Sequence, residues 1–259
     1  GRKIKEELKK LEPELNKVET ELKELLYQIP NMPADDVPKG KDENDNVEIK
    51  KWGKPRKFDF KPKDHLEIGE VLDIIDVKRA SKASGTRFGY LKDEAVLLEF
   101  ALIRFAFESL VKEGFIPVIP PIILKPEMLE KSGHLSEKDK PERYFIEKDN
   151  VYLAGTAEQP IAAMHADEIL EGKNLPYRYL GFSTGFRREA GSYGKDTKGI
   201  FRVHQFDKIE MFSFCYPQKS GEEHQFLLSC QEKLMQGLGI PYRVLQICTG
   251  DLGFPAAAA

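Results

Sequence analysis

From Phe186 to Glu210 the sequence reads FRREAGSYGKDTKGIFRVHQFDKIE. Two runs suited to strands flank a loop whose Gly191, Gly194 and Gly199 permit tight turns and whose Lys195, Asp196 and Lys198 favour water. That pattern predicts a hairpin. Period-two alternation sets Arg202, Phe206 and Glu210 on one face of the second strand, and Arg187 with Glu189 on one face at the end of the first. Guanidinium forks grip polyphosphate, a phenyl ring stacks on a purine, and carboxylates take an ammonium or Mg²⁺. Four strand residues cover roughly 13 Å, so Phe206 and Glu210 are about a nucleotide with a small adduct apart. ATP and a small amine-bearing substrate fit these groups. A solvated hairpin face is the better explanation of any one of the charges; all of them in one register is harder to dismiss.

The elements that must hold this hairpin are legible on either side. Ile4, Leu8, Leu11, Leu15, Val18, Leu22, Leu25 and Ile29 alternate in steps of four and three, a heptad seam over residues 1–29 that wants a partner helix. Pro13 is expected to kink or interrupt it. A single amphipathic helix packed on a domain is the competing reading. Residues 30–64, rich in proline and charge, read as a linker and entry to a core spanning 65–259. Asp93 opens a helix that Gly114 closes, with Val96, Leu97, Phe100, Ile103, Phe107 and Leu110 as its apolar stripe. It runs into FIPVIPPIIL, a strand stopped by Pro120 and Pro121. Tyr144–Ile146 and Val151–Ala154 form a hairpin leading to GTAEQP, where Thr156 and Gln159 match a capping box for a helix running to Leu170. A helix follows from Gly221 to Gly237, then a strand over Tyr242–Ile247. His65 and His165 read as structural histidines.

The 259 residues, 41% hydrophobic and 32% charged, suit one large domain with an appendage. No apolar run reaches membrane-spanning length and GRKIKEELKK lacks a signal peptide's apolar core, so the expected address is the cytoplasm. A net charge of −3 confines any nucleic-acid contact to a local basic patch. Cys215, Cys230 and Cys248 have no metal-ligand spacing, so they read as reduced structural thiols and no metal site is expected from them.

Phe-Arg-x-Glu, a glycine-bearing loop, then Arg-x-His-Gln-Phe-x-Lys-x-Glu resembles motif 2 of the class II aminoacyl-tRNA synthetases, and EAGSYGKDTKG is similar to the seryl-tRNA synthetases in particular. The resemblance implies an α+β fold: an antiparallel mixed sheet flanked by helices, entered through the stub of a coiled-coil arm at 1–29. It implies activation of serine by ATP to seryl-adenylate and transfer to the 3′ end of tRNA(Ser), with Mg²⁺ accompanying ATP and a homodimer built on the helix and strand that look like motif 1. Arg187 would meet the α-phosphate and the serine carboxylate, and Glu189 would hold the adenylate side or orient Arg187. Arg202 would reach the distal phosphates, Phe206 would stack on adenine, and Val203 would meet adenine through its backbone. Thr156, Glu158 and Glu210 would receive serine, and the loop Gly191–Gly199 would meet the tRNA acceptor end. Set against the family's order of elements, most of the arm and the motif 3 region are not represented. A threonine- or proline-type synthetase, an amino-acid-activating enzyme acting on a carrier protein, and a non-catalytic ATP- or tRNA-binding module are the alternatives.

Overall fold

In a computed structural model of the chain, the structure describes residues 1–136, 139–190 and 199–259. Two units separate: Gly1–Lys50 with Val244–Ala259, and Lys51–Arg243. The first opens with helix α1, Arg2–Leu26, which buries none of its residues. Its leucines every three or four positions form the expected stripe, and that stripe is solvent-exposed. The helix continues through Pro13 rather than ending there. One proline removes one backbone donor, and the lysines, glutamates and leucines around it are good helix formers. Strand β1, Val47–Trp52, begins in this unit.

In the second unit, helix α2, His65–Val71, starts on a complete capping box between Asp64 and Glu67. Strand β2, Ile75–Asp76, helix α3, Val77–Ser84, and strand β3, Tyr90–Leu91, follow, with β2 and β3 antiparallel. Helix α4, Glu94–Val111, is the long apolar helix expected from Asp93 onward, and Gly114, at φ 92°, turns the chain after it. The proline-bearing run after α4 becomes two short strands, β4 at Ile116–Val118 and β5 at Ile123–Leu124, because Pro120 and Pro121 interrupt the ladder between them. Helix α5, Pro126–Lys131, and the hairpin of strands β6, Phe145–Ile146, and β7, Val151–Leu153, come next, and β5 pairs with β7 on the latter's other side.

Helix α6, Glu158–Ala163, is shorter than expected and is not capped by Thr156. Gln159 instead turns its side-chain oxygen back to accept from the Gly155 amide at 2.9 Å, and the Thr156 hydroxyl donates to Glu210 while accepting a long, 3.4 Å bond from the Glu158 amide. Strands β8, Tyr177–Phe186, and β9, Gln205–Phe214, are ten residues each and form the hairpin anticipated from the sequence. They pair antiparallel, with Gly181 opposite Glu210 and Gly185 opposite Phe206, and β4 runs parallel to β8 on its other edge. The run Gly191–Lys198, most of the loop expected to meet the tRNA end, lies outside the described residues. Helix α7, Ser220–Gly237, and strand β10, Tyr242–Gln246, close the chain's regular structure, and β10 pairs with β1.

Alternation along β8 sends neighbouring residues into different cores. Leu180 packs with Leu110, Phe115 and Cys230 of the α4 and α7 side. Tyr179 packs with Ala157 and Ile161 of the α6 side. Leu180 and Ile161 are fully buried, each stabilising the fold by about 1.5–3 kcal/mol. Cys230 is also fully buried, and burial raises the pKa of its thiol. The β8–β9 sheet is fastened to α7 by Arg178, whose guanidinium donates twice to Glu223, at 2.9 and 2.5 Å, and lies over Phe226. No helix among the described residues is long and apolar enough to cross a membrane.

Candidate active site

Residues directly opposite on an antiparallel pair share a face, so Gly181, Ser183 and Gly185 of β8 share one with Phe206, Lys208 and Glu210 of β9. This is the face toward α6. A Cβ on Gly181 would come within 2.4 Å of Ile161 Cδ1, and one on Gly185 within 2.9 Å of the Gly155 carbonyl oxygen. The missing side chains let the Gly155–Glu158 segment settle onto the sheet beside the polar residues of β9.

Thr156, only 5% exposed, donates its hydroxyl to Glu210 at 2.7 Å and accepts from Lys208 Nζ at 3.2 Å. Lys208 also forms an ion pair with Glu210. Next to this cluster Glu158 stands 3.5 Å from His134 Nε2. The hydrogen bond from His134, then the positive charges of His134, Lys208 and Arg187, hold the Glu158 carboxyl below the usual carboxylate range despite its burial. The cluster is a small polar recess with a hydroxyl, two carboxylates and an ammonium. Such a set can hold a ligand that carries its own ammonium and hydroxyl.

Arg187 follows β8. Its Nε donates to the Gly155 carbonyl at 3.3 Å, and its guanidinium lies 5.2 Å over the Phe206 ring. A cation, an aromatic plate and the Thr156–Glu210 recess therefore sit side by side along one sheet face, as alternation from Phe206 to Glu210 predicts.

Glu189 and Arg202 reach their places by another route. β8 stops at Phe186 and β9 starts at Gln205, so neither residue is positioned by strand alternation, and the expected shared face does not account for them. They still meet: Arg202 donates to Glu189 at 2.6 Å. Glu189 adopts φ 53°, a left-handed conformation that costs a non-glycine residue about 1–2 kcal/mol, and its carbonyl accepts from Arg87 at 3.3 Å. Upstream of Arg202, His65 accepts from the Ile200 amide at 3.3 Å, and its ring lies 4.1 Å from that of Phe201.

Val203 and Phe206 border a cavity of about 520 Å³, together with Phe88, Tyr90, Val96 and Glu99. Arg187, Glu189 and Arg202 are not among its walls. Burial, and the neighbouring Asp207 carboxylate, push the Glu99 carboxyl above its ordinary value.

With this geometry fixed, comparison with known proteins is decisive. A family model described as the tRNA synthetase class II core domain (G, H, P, S and T) matches residues 144–258. The serine–tRNA ligase of Sulfurihydrogenibium sp. (strain YO3AOP1) is 52% identical over 234 residues, which are 90% of this chain and 56% of that protein. The crystal structure of seryl-tRNA synthetase from Pyrococcus horikoshii complexed with ATP superposes with a TM-score of 0.93 at 44% identity, covering 99% of this chain and 62% of that one. The chain belongs to the seryl-tRNA synthetases.

The cytoplasmic serine–tRNA ligase from Naegleria fowleri in complex with AMP is also similar, at a TM-score of 0.90 and 34% identity over 97% of this chain and 60% of that one. The chain thus spans little more than half the length of the curated relatives it matches. As in a class II synthetase, the fold is α+β, and the β8–β9 hairpin and the segment entering α6 share the candidate site residues. Sequence reasoning about the seryl-tRNA synthetase motifs missed two members of the polar cluster, Lys208 and His134. Lys208 shares the parity of Phe206 and Glu210, so the same alternation could have found it. His134 comes from the irregular segment after α5, and no local pattern marks it.

Proposed function

We propose that this chain carries the amino-acid-activating site of a serine–tRNA ligase, which joins serine to ATP as seryl-adenylate, releases pyrophosphate, and passes the seryl group to the 3′ end of tRNA(Ser). The observation that carries the reading is the recess in which Thr156 and Glu210 meet beside Arg187 and Phe206. Serine brings an ammonium for Glu210, a hydroxyl for the Thr156 and Glu158 side, and a carboxylate for Arg187. A recess built to pair those groups rejects an analogue that leaves a buried partner unpaired.

The reaction needs positioning and charge neutralisation rather than covalent help from the protein. The serine carboxylate oxygen attacks the α-phosphorus in line, the bond to the bridging oxygen breaks, and pyrophosphate leaves. Arg187 neutralises charge gathering between carboxylate and phosphate. Its guanidinium lies beside the Phe206 ring, which offers adenine a stacking surface next to the phosphate-binding cation. Arg202, fixed by Glu189, serves the distal phosphates, and the Val203 backbone meets the adenine edge. Among the described residues no group of three or more His, Cys, Asp or Glu side chains could hold a metal ion. Mg²⁺ enters as the companion of ATP.

In this reading residues 1–29 are a stub of the coiled-coil tRNA-binding arm, 30–64 the linker and entry to the core, and 65–259 belong to the class II catalytic core, acting in a cytoplasmic homodimer. The test is pyrophosphate exchange into ATP by the full chain with each amino acid in turn. Serine alone should drive exchange, and Arg187→Ala should abolish it without lowering the melting temperature. Exchange driven by threonine or proline, or full exchange in the Arg187 variant, would overturn the assignment.

A further inference from the structure

Gly155 lies between two arginines. A Cβ built on it would stand 2.9 Å from Arg143 Nη1 and 3.6 Å from Arg187 Nε. The two guanidinium groups are therefore no farther apart than those two distances together, and the absence of a side chain at 155 is what admits the Arg143 tip. Arg143 is half-buried, and its Nε makes no hydrogen bond among the described residues. Burial, and secondarily the like charge of Arg187, disfavour its cation; Asp139, Glu142 and Glu158 act in the opposite sense.

Those carboxylates are committed elsewhere. Asp139 accepts from the Ser136 amide and hydroxyl, Glu142 accepts from the Ala190 amide, and Glu158 faces His134. Two neighbouring guanidinium groups, one without a bound partner at Nε, are costly to bring out of water unless an anion joins them. An oxyanion with several acceptor oxygens is the ligand that repays both, since each guanidinium can offer it a fork of donors.

We infer that Arg143 is a second phosphate-binding residue, acting with Arg187 across Gly155 on the phosphate groups of the nucleotide or of the departing pyrophosphate. The inference rests on the adenylate-forming reading for its choice of ligand. It adds a contact that neither the hairpin motif nor Arg187 supplies.

The test is calorimetric titration of the full chain with inorganic pyrophosphate, ATP and adenosine, in parallel with serine-driven exchange. Arg143→Ala should weaken pyrophosphate and ATP about tenfold, the scale of a lost hydrogen bond to a charged group, and leave adenosine unchanged. Arg143→Lys should recover part of that loss. Gly155→Ala, which removes no charge but places a Cβ against Nη1, should weaken the same two ligands and spare adenosine. This variant decides the matter if Arg143→Ala does not fold.

Wild-type affinity for pyrophosphate in both the Arg143 and Gly155 variants would overturn the inference, as would failure of the wild type to bind pyrophosphate at all. Undiminished serine-driven exchange alongside Arg143-independent pyrophosphate binding would sink this inference and leave the proposed function standing. Arg143-dependent pyrophosphate binding with no exchange for any amino acid would do the reverse.

Discussion

Replacing Thr156 by valine keeps the shape of a buried residue and deletes one hydroxyl. In the wild type that hydroxyl donates to Glu210 at 2.7 Å and accepts from Lys208 at 3.2 Å. A hydrogen bond to a charged group contributes about 1.5–3 kcal/mol, with the upper end reserved for a partner left wholly unpaired. Glu210 keeps its ion pair with Lys208, and its side chain is 22% exposed, so the expected loss of stability is about 1–2 kcal/mol. Urea unfolding should show it as a lower midpoint at unchanged slope. If Thr156 and Glu210 also receive serine, the serine KM in pyrophosphate exchange should rise about tenfold, equivalent to 1.4 kcal/mol, while the ATP KM stays put. Thr156→Ser, which retains the hydroxyl, should restore most of both. A valine variant with wild-type serine KM would remove Thr156 from substrate recognition, and an equal rise for ATP would mean that the segment had moved as a whole.

Three further outcomes follow from the packing. Gly181→Ala would drive a methyl to within 2.4 Å of Ile161 Cδ1 and 2.9 Å of Ala157 Cβ, so chemical unfolding should report a loss of about 1–3 kcal/mol from overpacking. Glu223→Ala strands Arg178 beneath Phe226; removing one partner of a buried pair costs about 3–5 kcal/mol, and the residual exposure of 12% for Glu223 and 24% for Arg178 reduces that to about 2–3 kcal/mol, readable by calorimetry. Because the folded state holds the Glu158 carboxyl below its ordinary value, its contribution is fully present above the usual glutamate range and is lost as pH falls through the lowered value. The stability difference between wild type and Glu158→Gln should therefore narrow on acidification; a difference independent of pH would contradict the His134 contact.

Much of the site could be read along β9, because strand alternation is a strictly local rule and Phe206, Lys208 and Glu210 obey it. The same rule, carried beyond its reach, groups Glu189 with Arg187 and Arg202 with Phe206 and Glu210. The strands end at Phe186 and begin at Gln205, and a left-handed turn at Glu189 with an ion pair to Arg202 does the positioning instead. Thr156 shows a different kind of competition. Its spacing to Gln159 is that of a capping box, but Gln159 accepts from the Gly155 amide, and the Thr156 hydroxyl accepts from the Glu158 amide while donating to a carboxylate on a strand 54 residues later. His134 and Arg143 are illegible for the converse reason: tertiary approach sets His134 against Glu158 and the Arg143 tip beside Gly155, and no period in the chain encodes that. The fold was more accessible than the site, since α4, the β6–β7 hairpin and the β8–β9 pair each follow from apolar spacing and turn residues.

The sealed thiol of Cys230 gives the scaffold a stopwatch of its own. While helix and sheet stay shut, a maleimide cannot reach it, so with Cys215 and Cys248 replaced by serine the labelling rate under native conditions times how often that layer breathes open. Read next to catalysis, this clock sorts any inactive variant into one of two bins, a broken frame or a blunted tool, with no substrate in the tube.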